Sequence, residues 1–149
     1  MSTYKHILVP IDGSEITEHA IDSSIHLARQ LGAAITGFVV EPNPPLPAIG
    51  RHPSIIASEA ELHDARTEAH ARGLLMRFRA MADAAGVRFE GHFERSERVG
   101  EAIVEQARER GCDMIVMATH GRGPFGELLF GSYTKSVLAR SKLPLLVLH

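Results

Sequence analysis

The chain has 149 residues, of which 44% are hydrophobic and 23% charged, and its formal net charge is −2. This length suits one domain with a sizeable core, and a near-neutral charge with singly scattered basic residues excludes an electrostatic case for a nucleic-acid partner. The single cysteine, Cys112, excludes an internal disulfide and fits a reducing compartment. Because no signal-peptide pattern opens the chain and no apolar run reaches membrane-spanning length, we expect a cytoplasmic protein without a membrane partner.

The first 40 residues predict a strand, a helix and a second strand. Residues 7–11 and 34–40 are short apolar runs bounded by turn residues, as in buried strands. Between them, Ser14 is a suitable N-cap and Gly32 a suitable helix stop. Small and apolar residues at three- and four-residue steps form the predicted inner face of this helix: Ala20, Ser24, Leu27, Ala28 and Leu31.

Residues 41–53 are rich in proline and predict an irregular surface loop. The loop is either a plain connection, which we favour, or a mobile lid beside a site. A second helix is predicted from about residue 58 to residue 85, with Gly86 as its stop. The predicted inner stripe consists mostly of small residues, which indicates close packing on a sheet: Leu62, Ala65, Ala69, Gly73, Met76, Ala80 and Ala84.

The second half of the chain repeats the alternation of strands and helices. Residues 87–94 alternate apolar and charged side chains, which predicts a half-buried strand at a sheet edge. A helix is predicted over residues 99–110, a buried strand over 114–117, a last helix from Ser132 to about residue 141, and a fifth strand over 143–148. Cys112 lies between a helix and a strand, where we expect a buried, inert thiol. The pattern predicts a single-domain α/β fold, doubly wound, with a five-stranded parallel sheet and helices on both faces.

A glycine-rich loop lies between the strand at 114–117 and the last helix. Gly121, Gly123, Gly126 and Gly131 would let the backbone approach a ligand closely. Ser132 is the predicted N-cap of the helix that follows. The free N–H groups of a first helical turn favour an anion, so this stretch predicts a phosphate site.

Two familiar phosphate-loop patterns fail on these glycines. Gly121 to Gly126 match G-x-G-x-x-G, but a dinucleotide site needs an acidic residue about 20 positions later, where this chain has Leu146. Gly126, Gly131 and Ser132 match a Walker A loop that lacks its lysine. We therefore reject both interpretations.

A third pattern fits throughout: Ala118, two residues, Gly121, nine residues, Gly131 and Ser132. Here the chain resembles the universal stress protein family, whose ATP-binding members have Gly-x2-Gly-x9-Gly-Ser/Thr after the fourth strand. The departure is Ala118 in place of the first glycine, where an added methyl group would crowd a ribose or change φ. The resemblance covers essentially the whole chain. It implies an adenine nucleotide alpha hydrolase-like fold with strand order 3-2-1-4-5, in which the ends of strands one and four form one crevice.

The resemblance also implies a site for ATP, ADP or AMP, with Mg²⁺ or Mn²⁺ held on the phosphates. A carboxylate at Asp12 suits two ribose hydroxyls, although an aspartate at this corner also serves as a plain turn residue. Arg122 and Lys135 would reach the outer phosphates or remain solvated surface cations, and His120 would be a phosphate donor or a spacer. Around the base and ribose, the implied contacts are Pro10, Ile11, Asp12, Val39 (through its backbone), Met117 and Ala118. Around the phosphates, they are His120, Gly121, Arg122, Gly131, Ser132 and Tyr133.

No catalytic or metal-ligating constellation is evident. His19 and His26 are seven residues apart, as are His63 and His70, and two helical turns separate such pairs by roughly 10 Å, too far for one ion. Nucleophile-elbow, zinc-protease and C-x-x-C motifs are absent from the sequence. We therefore predict no catalytic residues and no protein-ligated metal, with ATP hydrolysis slow at most.

The last apolar run, residues 143–148, does not alternate, yet the implied strand order places it at a sheet edge. An exposed apolar edge with free N–H groups favours association, so we expect a homodimer through this strand, which the resemblance also implies. The alternative is coverage by the chain's own helices.

Three functions compete. The first is a nucleotide-binding regulatory module whose occupancy sets the proline-rich loop and the last helix, to be recognised by an unidentified protein partner. The second is a stress-induced dimer that binds no nucleotide, for which Ala118 is the supporting feature. The third, a phosphotransferase or hydrolase, needs a base or metal ligands that the sequence lacks.

Overall fold

The computed structural model describes residues 3–12, 17–41, 43, 49–118 and 132–148. Strands and helices alternate along the chain, and the strands form one parallel sheet in the order β3-β2-β1-β4-β5. This confirms the expected strand order, with β3 and β5 at the edges. The strands are β1 (His6–Pro10), β2 (Ala34–Glu41), β3 (Phe89–Arg95), β4 (Met114–Ala118) and β5 (Leu145–Leu148), and the helices are α1 (Thr17–Leu31), α2 (Pro53–Ala84), α3 (Val99–Glu109) and α4 (Ser132–Arg140).

Helices cover both faces of the sheet, as predicted. Successive side chains of a strand point to opposite faces, so the fully buried neighbours Ile7 and Leu8 belong to two different core clusters. Ile7 packs with residues of α1 and α2, whereas Leu8 packs with α3 and with Val137 of α4. Burial on both faces explains why the central strands are continuous apolar runs rather than alternating ones.

The inner face of α2 differs from the prediction. The buried residues are Ala71, Leu74, Phe78 and Ala82, whereas the predicted stripe lies on the outside of the helix, about 160–200° away at roughly 100° per residue. Leu62 is 50% exposed and Met76 is 71% exposed. The predicted stripe is therefore wrong, although the helix itself is confirmed.

The close packing between α2 and the sheet comes from glycines in the strands. A Cβ atom at Gly37 would lie 2.7 Å from the ring of Phe89 on β3 and 3.2 Å from Phe78, and one at Gly91 would lie 3.3 Å from Leu75 and from Phe89. The Phe89 ring and large helix side chains thus fill the space that the two glycines leave open. The small residues at this contact thus belong to the strands, whereas the sequence pattern places them on the helix.

Several element ends differ by a few residues from the predictions. α2 begins at Pro53 rather than near residue 58, because proline suits the first helical position and the His52 ring accepts a hydrogen bond from the N–H of Ser54 at 3.2 Å. β3 and β5 each begin two residues later than predicted, and Ser132 is the first residue of α4 rather than its preceding cap. The predicted cap Ser14 and residues 42 and 44–48 of the proline-rich loop lie outside the described residues.

Cys112 is buried, with 6% of its surface exposed, which confirms the prediction for its position. Burial raises the pKa of this thiol to about 11. The inert thiol that we predicted is consistent with this shift, since the thiolate is the reactive form. In the part of the chain that the structure describes, no helix has the length and apolar character needed to cross a membrane.

Candidate functional site

The centre of the sheet is the point where the winding direction changes. β1 and β4 are neighbours, with Ile7 opposite Met114 and Leu8 opposite Ile115. After β1 the chain crosses to α1 on one face, and after β4 it crosses to α4 on the other face. In doubly wound sheets, ligands bind in the crevice at the carboxyl ends of two such strands.

Five predicted site residues meet at this edge. Pro10 ends β1, and Ile11 and Asp12 follow it directly. The N–H of Ile11 donates to the carbonyl of Phe38 at 2.9 Å, so pairing with β2 continues past the last residue of β1. Asp12 is exposed to solvent, whereas Ile11 is 6% exposed. Met117 and Ala118 end the neighbouring strand β4. An exposed carboxylate and the ends of two neighbouring strands therefore lie at the same edge of the sheet.

Val39, another predicted site residue, lies within β2 rather than at its end. It pairs with Phe93 of β3 and has no exposed surface. The partly exposed residues at the end of β2 are Val40 and Glu41.

The first turn of α4 carries the remaining described candidates. Tyr133 is 53% exposed and Lys135 is exposed, while Thr134 and Val137 are buried and face the core. The backbone N–H groups of such a first turn are free to bind an anion, and the helix dipole adds positive potential. His120, Gly121, Arg122 and Gly131 lie outside the described residues, together with the rest of the glycine-rich loop.

Gly100 of α3 sets the position of α4, a role that the sequence pattern did not predict. A Cβ atom at Gly100 would lie 2.3 Å from the Ser136 Oγ and 2.5 Å from the Ser136 Cβ. Only the absence of a side chain lets the two helices approach this closely. The signal available in the sequence was a glycine near the start of a helical pattern, which often has a packing reason.

A second group of polar contacts that the sequence did not predict fastens α2 to the same edge of the sheet. The Glu41 carboxylate lies 3.3 Å from Nδ1 of His70. Arg95, the last residue of β3, donates to the Thr67 hydroxyl at 2.8 Å and to the Asp64 carbonyl at 2.7 Å. These contacts hold the middle of α2 beside the carboxyl ends of β2 and β3. Among the described residues, no cluster of three or more histidine, cysteine or acidic side chains could hold a metal ion.

The strand order defines a doubly wound α/β domain whose switch point lies between β1 and β4, the place where such folds bind ligands. The chain belongs to the universal stress protein family, whose model matches residues 3–149. A universal stress protein of Methanocaldococcus jannaschii is 31% identical over 148 residues, which is 97% of this chain and 81% of that protein.

Solved structures agree with this assignment. A universal stress protein family member from Burkholderia pseudomallei is 27% identical and superposes with a TM-score of 0.75, covering 99% of this chain and 97% of that chain. Another solved universal stress protein, in complex with cAMP, shares the fold at 24% identity with a TM-score of 0.68, covering 99% of this chain and 98% of that chain.

Proposed function

We propose that this chain is an adenine-nucleotide-binding regulatory protein whose site is the crevice between β1 and β4. The observation that supports this most directly is that the exposed Asp12 and the ends of β1 and β4 meet at the switch point of the sheet. The relative solved with cAMP carries an adenine nucleotide on the same fold.

Each part of the crevice suits one part of the nucleotide. The Asp12 carboxylate would accept hydrogen bonds from the two ribose hydroxyls. Met117 and Ala118 would contact the base and the ribose. The N–H groups at the start of α4, with the Lys135 ammonium nearby, would bind the phosphates, and the glycines of the preceding loop would allow close backbone approach. ATP is the expected ligand, with ADP and AMP as alternatives, and Mg²⁺ or Mn²⁺ would sit on the phosphates.

The proposed activity is binding with slow or no hydrolysis. Asp12 could orient a water molecule towards a phosphate, but the sequence has no motif that supplies an activating base. Nucleotide occupancy would then set the conformation of the proline-rich loop and of α4, which a protein partner recognises. Burial of Cys112 and the lack of other cysteines are compatible with the reducing cytoplasm where we place the protein.

We also propose a homodimer through β5. This strand is at the edge of the sheet, and Leu146 is 38% exposed while Leu145, Val147 and Leu148 are partly exposed. Pairing with a second β5 would satisfy the free backbone groups of that edge.

Ala118 favours a second candidate function, a dimer that acts through protein contacts without a nucleotide. The experiment that separates the two is to purify the protein without added nucleotide, denature it, and identify the released small molecules by mass spectrometry. Binding of added Mg-ATP is then measured by calorimetry. Release or binding of an adenine nucleotide supports our proposal, whereas an empty protein that also fails to bind Mg-ATP refutes it.

Variants locate the site. Asp12→Asn should weaken ATP binding about 10- to 100-fold, because hydrogen bonds to a charged group are worth about 1.5–3 kcal/mol. Asp22→Asn is the matched control, since Asp22 is an exposed carboxylate on α1 away from the crevice, and it should bind ATP like the wild type. Equal affinities for both variants, with circular dichroism unchanged, would place the ribose elsewhere.

A further inference from the structure

One face of α2 is apolar and unpartnered. Ile55, Leu62, Ala69 and Met76 follow one another at intervals of seven residues, and Ile55, Leu62 and Met76 are 47%, 50% and 71% exposed. A seven-residue repeat is characteristic of helices that pair along a continuous seam. We call this face the outer stripe; it comprises Ile55, Ser58, Leu62, Ala65, Ala69, Gly73, Met76 and Ala80, each exposed.

The outer stripe is a second apolar face on a helix whose first apolar face is already used. Ala71, Leu74, Phe78 and Ala82 lie on the opposite side and pack on the sheet. The described residues of α2 before Ala71 include none that is fully buried. A helix that is apolar on two sides is normally covered on both, so the outer stripe is suited to a further contact.

The net charge beside the stripe reverses sign at Ala69. Three acidic residues and one basic residue precede it, and three basic residues and one acidic residue follow it: Glu59, Glu61, Arg66 and Glu68, then Arg72, Arg77, Arg79 and Asp83. At about 100° per residue, Glu59, Arg66 and Arg77 flank one side of the stripe, and the other five flank the opposite side. The two halves of the helix therefore carry opposite net charge and are complementary when the helix direction is reversed.

We propose that the outer stripe binds the outer stripe of a second copy of this chain, in antiparallel orientation about a twofold axis near Ala69. Each residue then faces the residue about as far on the other side of Ala69, so Leu62 packs on Met76 of the second copy. The small side chains of Ala65, Ala69 and Gly73 allow close approach of the two helices at the centre. A twofold contact between identical faces closes on itself and gives a dimer.

The opposed charges match on both sides of this contact. Glu59 faces Arg77 of the second copy, Glu61 faces Arg79, and Glu68 faces Arg72. A parallel arrangement would place like charges together instead. Within one chain, the other four charges already have ion-pair partners: Glu59 pairs with Arg51, Arg77 with Glu18 at 2.7 Å, and Glu68 with Arg72 at 2.8 Å. Glu61 and Arg79 form no ion pair within the described ranges, although the Arg79 guanidinium lies 5.3 Å from the centroid of the Phe89 ring. Their cross-pair, in which Arg79 turns from that ring towards the second copy, is therefore the most informative to test.

The size of the stripe sets the expected affinity. The stripe runs from Ile55 to Ala80, hence a length of about 39 Å, and at a width of about 10 Å it covers roughly 400 Å² per copy. A total of about 800 Å² is below the range of stable specific interfaces and is typical of weak contacts. We therefore expect a reversible, concentration-dependent dimer. Since α2 packs beside β2 and β3, at the far side of the sheet from β5, this contact is compatible with pairing through β5. Each β5 dimer would carry two outer stripes, so the two contacts together would give oligomers larger than a dimer.

Charge reversal tests the proposal by sedimentation velocity over a range of protein concentrations at low salt. Glu61→Arg and Arg79→Glu each oppose like charges in both copies, so each alone should raise the dissociation constant about tenfold. An equimolar mixture of the two variants should recover wild-type association, because both cross-pairs are attractive in the mixed dimer. Glu109→Arg, an exposed reversal on α3, is the matched control and should associate like the wild type. Circular dichroism confirms that every variant is folded.

Cross-linking gives an independent measurement. Ala69→Cys places a thiol at the proposed axis and should form a disulfide-linked dimer on mild oxidation, whereas Ala57→Cys, exposed on α2 but off the stripe, should not. The native Cys112 is buried and does not compete. The proposal is overturned if both positions cross-link equally, if the charge reversals leave association unchanged, or if the mixture shows no recovery. Binding of the stripe to lipid vesicles in place of self-association would also overturn it.

Discussion

Gly100 is the residue whose substitution most directly tests the packing that positions the candidate site. An added Cβ would lie 2.3 Å from Oγ and 2.5 Å from Cβ of Ser136. Rotation of the hydroxyl relieves the first contact but not the second, so α3 and α4 must move apart. Such overpacking costs about 1–3 kcal/mol, and the better helix propensity of alanine returns up to about 1 kcal/mol. We therefore expect Gly100→Ala to reduce the free energy of unfolding by about 1–2 kcal/mol.

Urea denaturation followed by circular dichroism, at low protein concentration, measures this loss. For a chain of 149 residues it corresponds to a fall in Tm of about 2–8 °C. Ser136→Gly removes both contacting atoms and leaves the Ser136 carbonyl carbon at 3.6 Å, an ordinary contact. The double variant should therefore show a coupling free energy above about 1 kcal/mol.

Gly73→Ala is the matched control. Gly73 lies inside α2 with no other atom within 4 Å of an added Cβ, so this substitution should stabilise the monomer by up to about 1 kcal/mol. If Gly100→Ala proved as stable as the wild type and showed no coupling to Ser136, the close approach of α3 and α4 would be refuted. Because α4 begins at the candidate site, Gly100→Ala should also weaken ATP binding, and Gly73→Ala should leave it unchanged.

Two further predictions concern the core. Phe78→Ala should cost about 3–5 kcal/mol of stability, since Phe78 is fully buried with its ring centroid 4.7 Å from that of Phe89. The control Ile49→Ala, at a position 104% exposed, should change stability by less than about 0.5 kcal/mol. Equal losses of the two variants in urea denaturation would contradict the assigned core. The thiol of Cys112 has its pKa raised from 9.0 to about 11 by burial, so the unfolded chain deprotonates first and stability should fall as pH rises from about 9 to 11. Cys112→Ala should show a shallower fall over that range, and parallel pH profiles for the two proteins would contradict the shift.

The strands were predictable because their signal is local. Residues 7–11, 34–40 and 114–117 are short apolar runs with turn residues at their ends, and each became a strand of the sheet within a residue or two. Hydrophobic periodicity needs no information from distant parts of the chain. The order of the strands came from the resemblance of the whole chain to one family, carried by the spacing of Ala118, Gly121, Gly131 and Ser132.

The inner face of α2 was not predictable in the same way. The helix has two stripes at helical spacing, one with Leu74 and Phe78 and one with Leu62 and Met76, and local pattern alone does not choose between them. The choice depends on Gly37 and Gly91, which are far from α2 in sequence and open the space that the larger side chains fill.

The amino-acid pattern thus determined which segments form strands and helices, and that Asp12 closely follows a buried strand. The phosphate loop between Ala118 and Ser132 stays a prediction. Two further relations arose only when the chain was packed: the close approach of Gly100 to Ser136, and the exposure of the outer stripe. The physical reason is that periodicity and capping act between residues a few positions apart. Which surfaces meet is set by shape complementarity between segments far apart in the sequence.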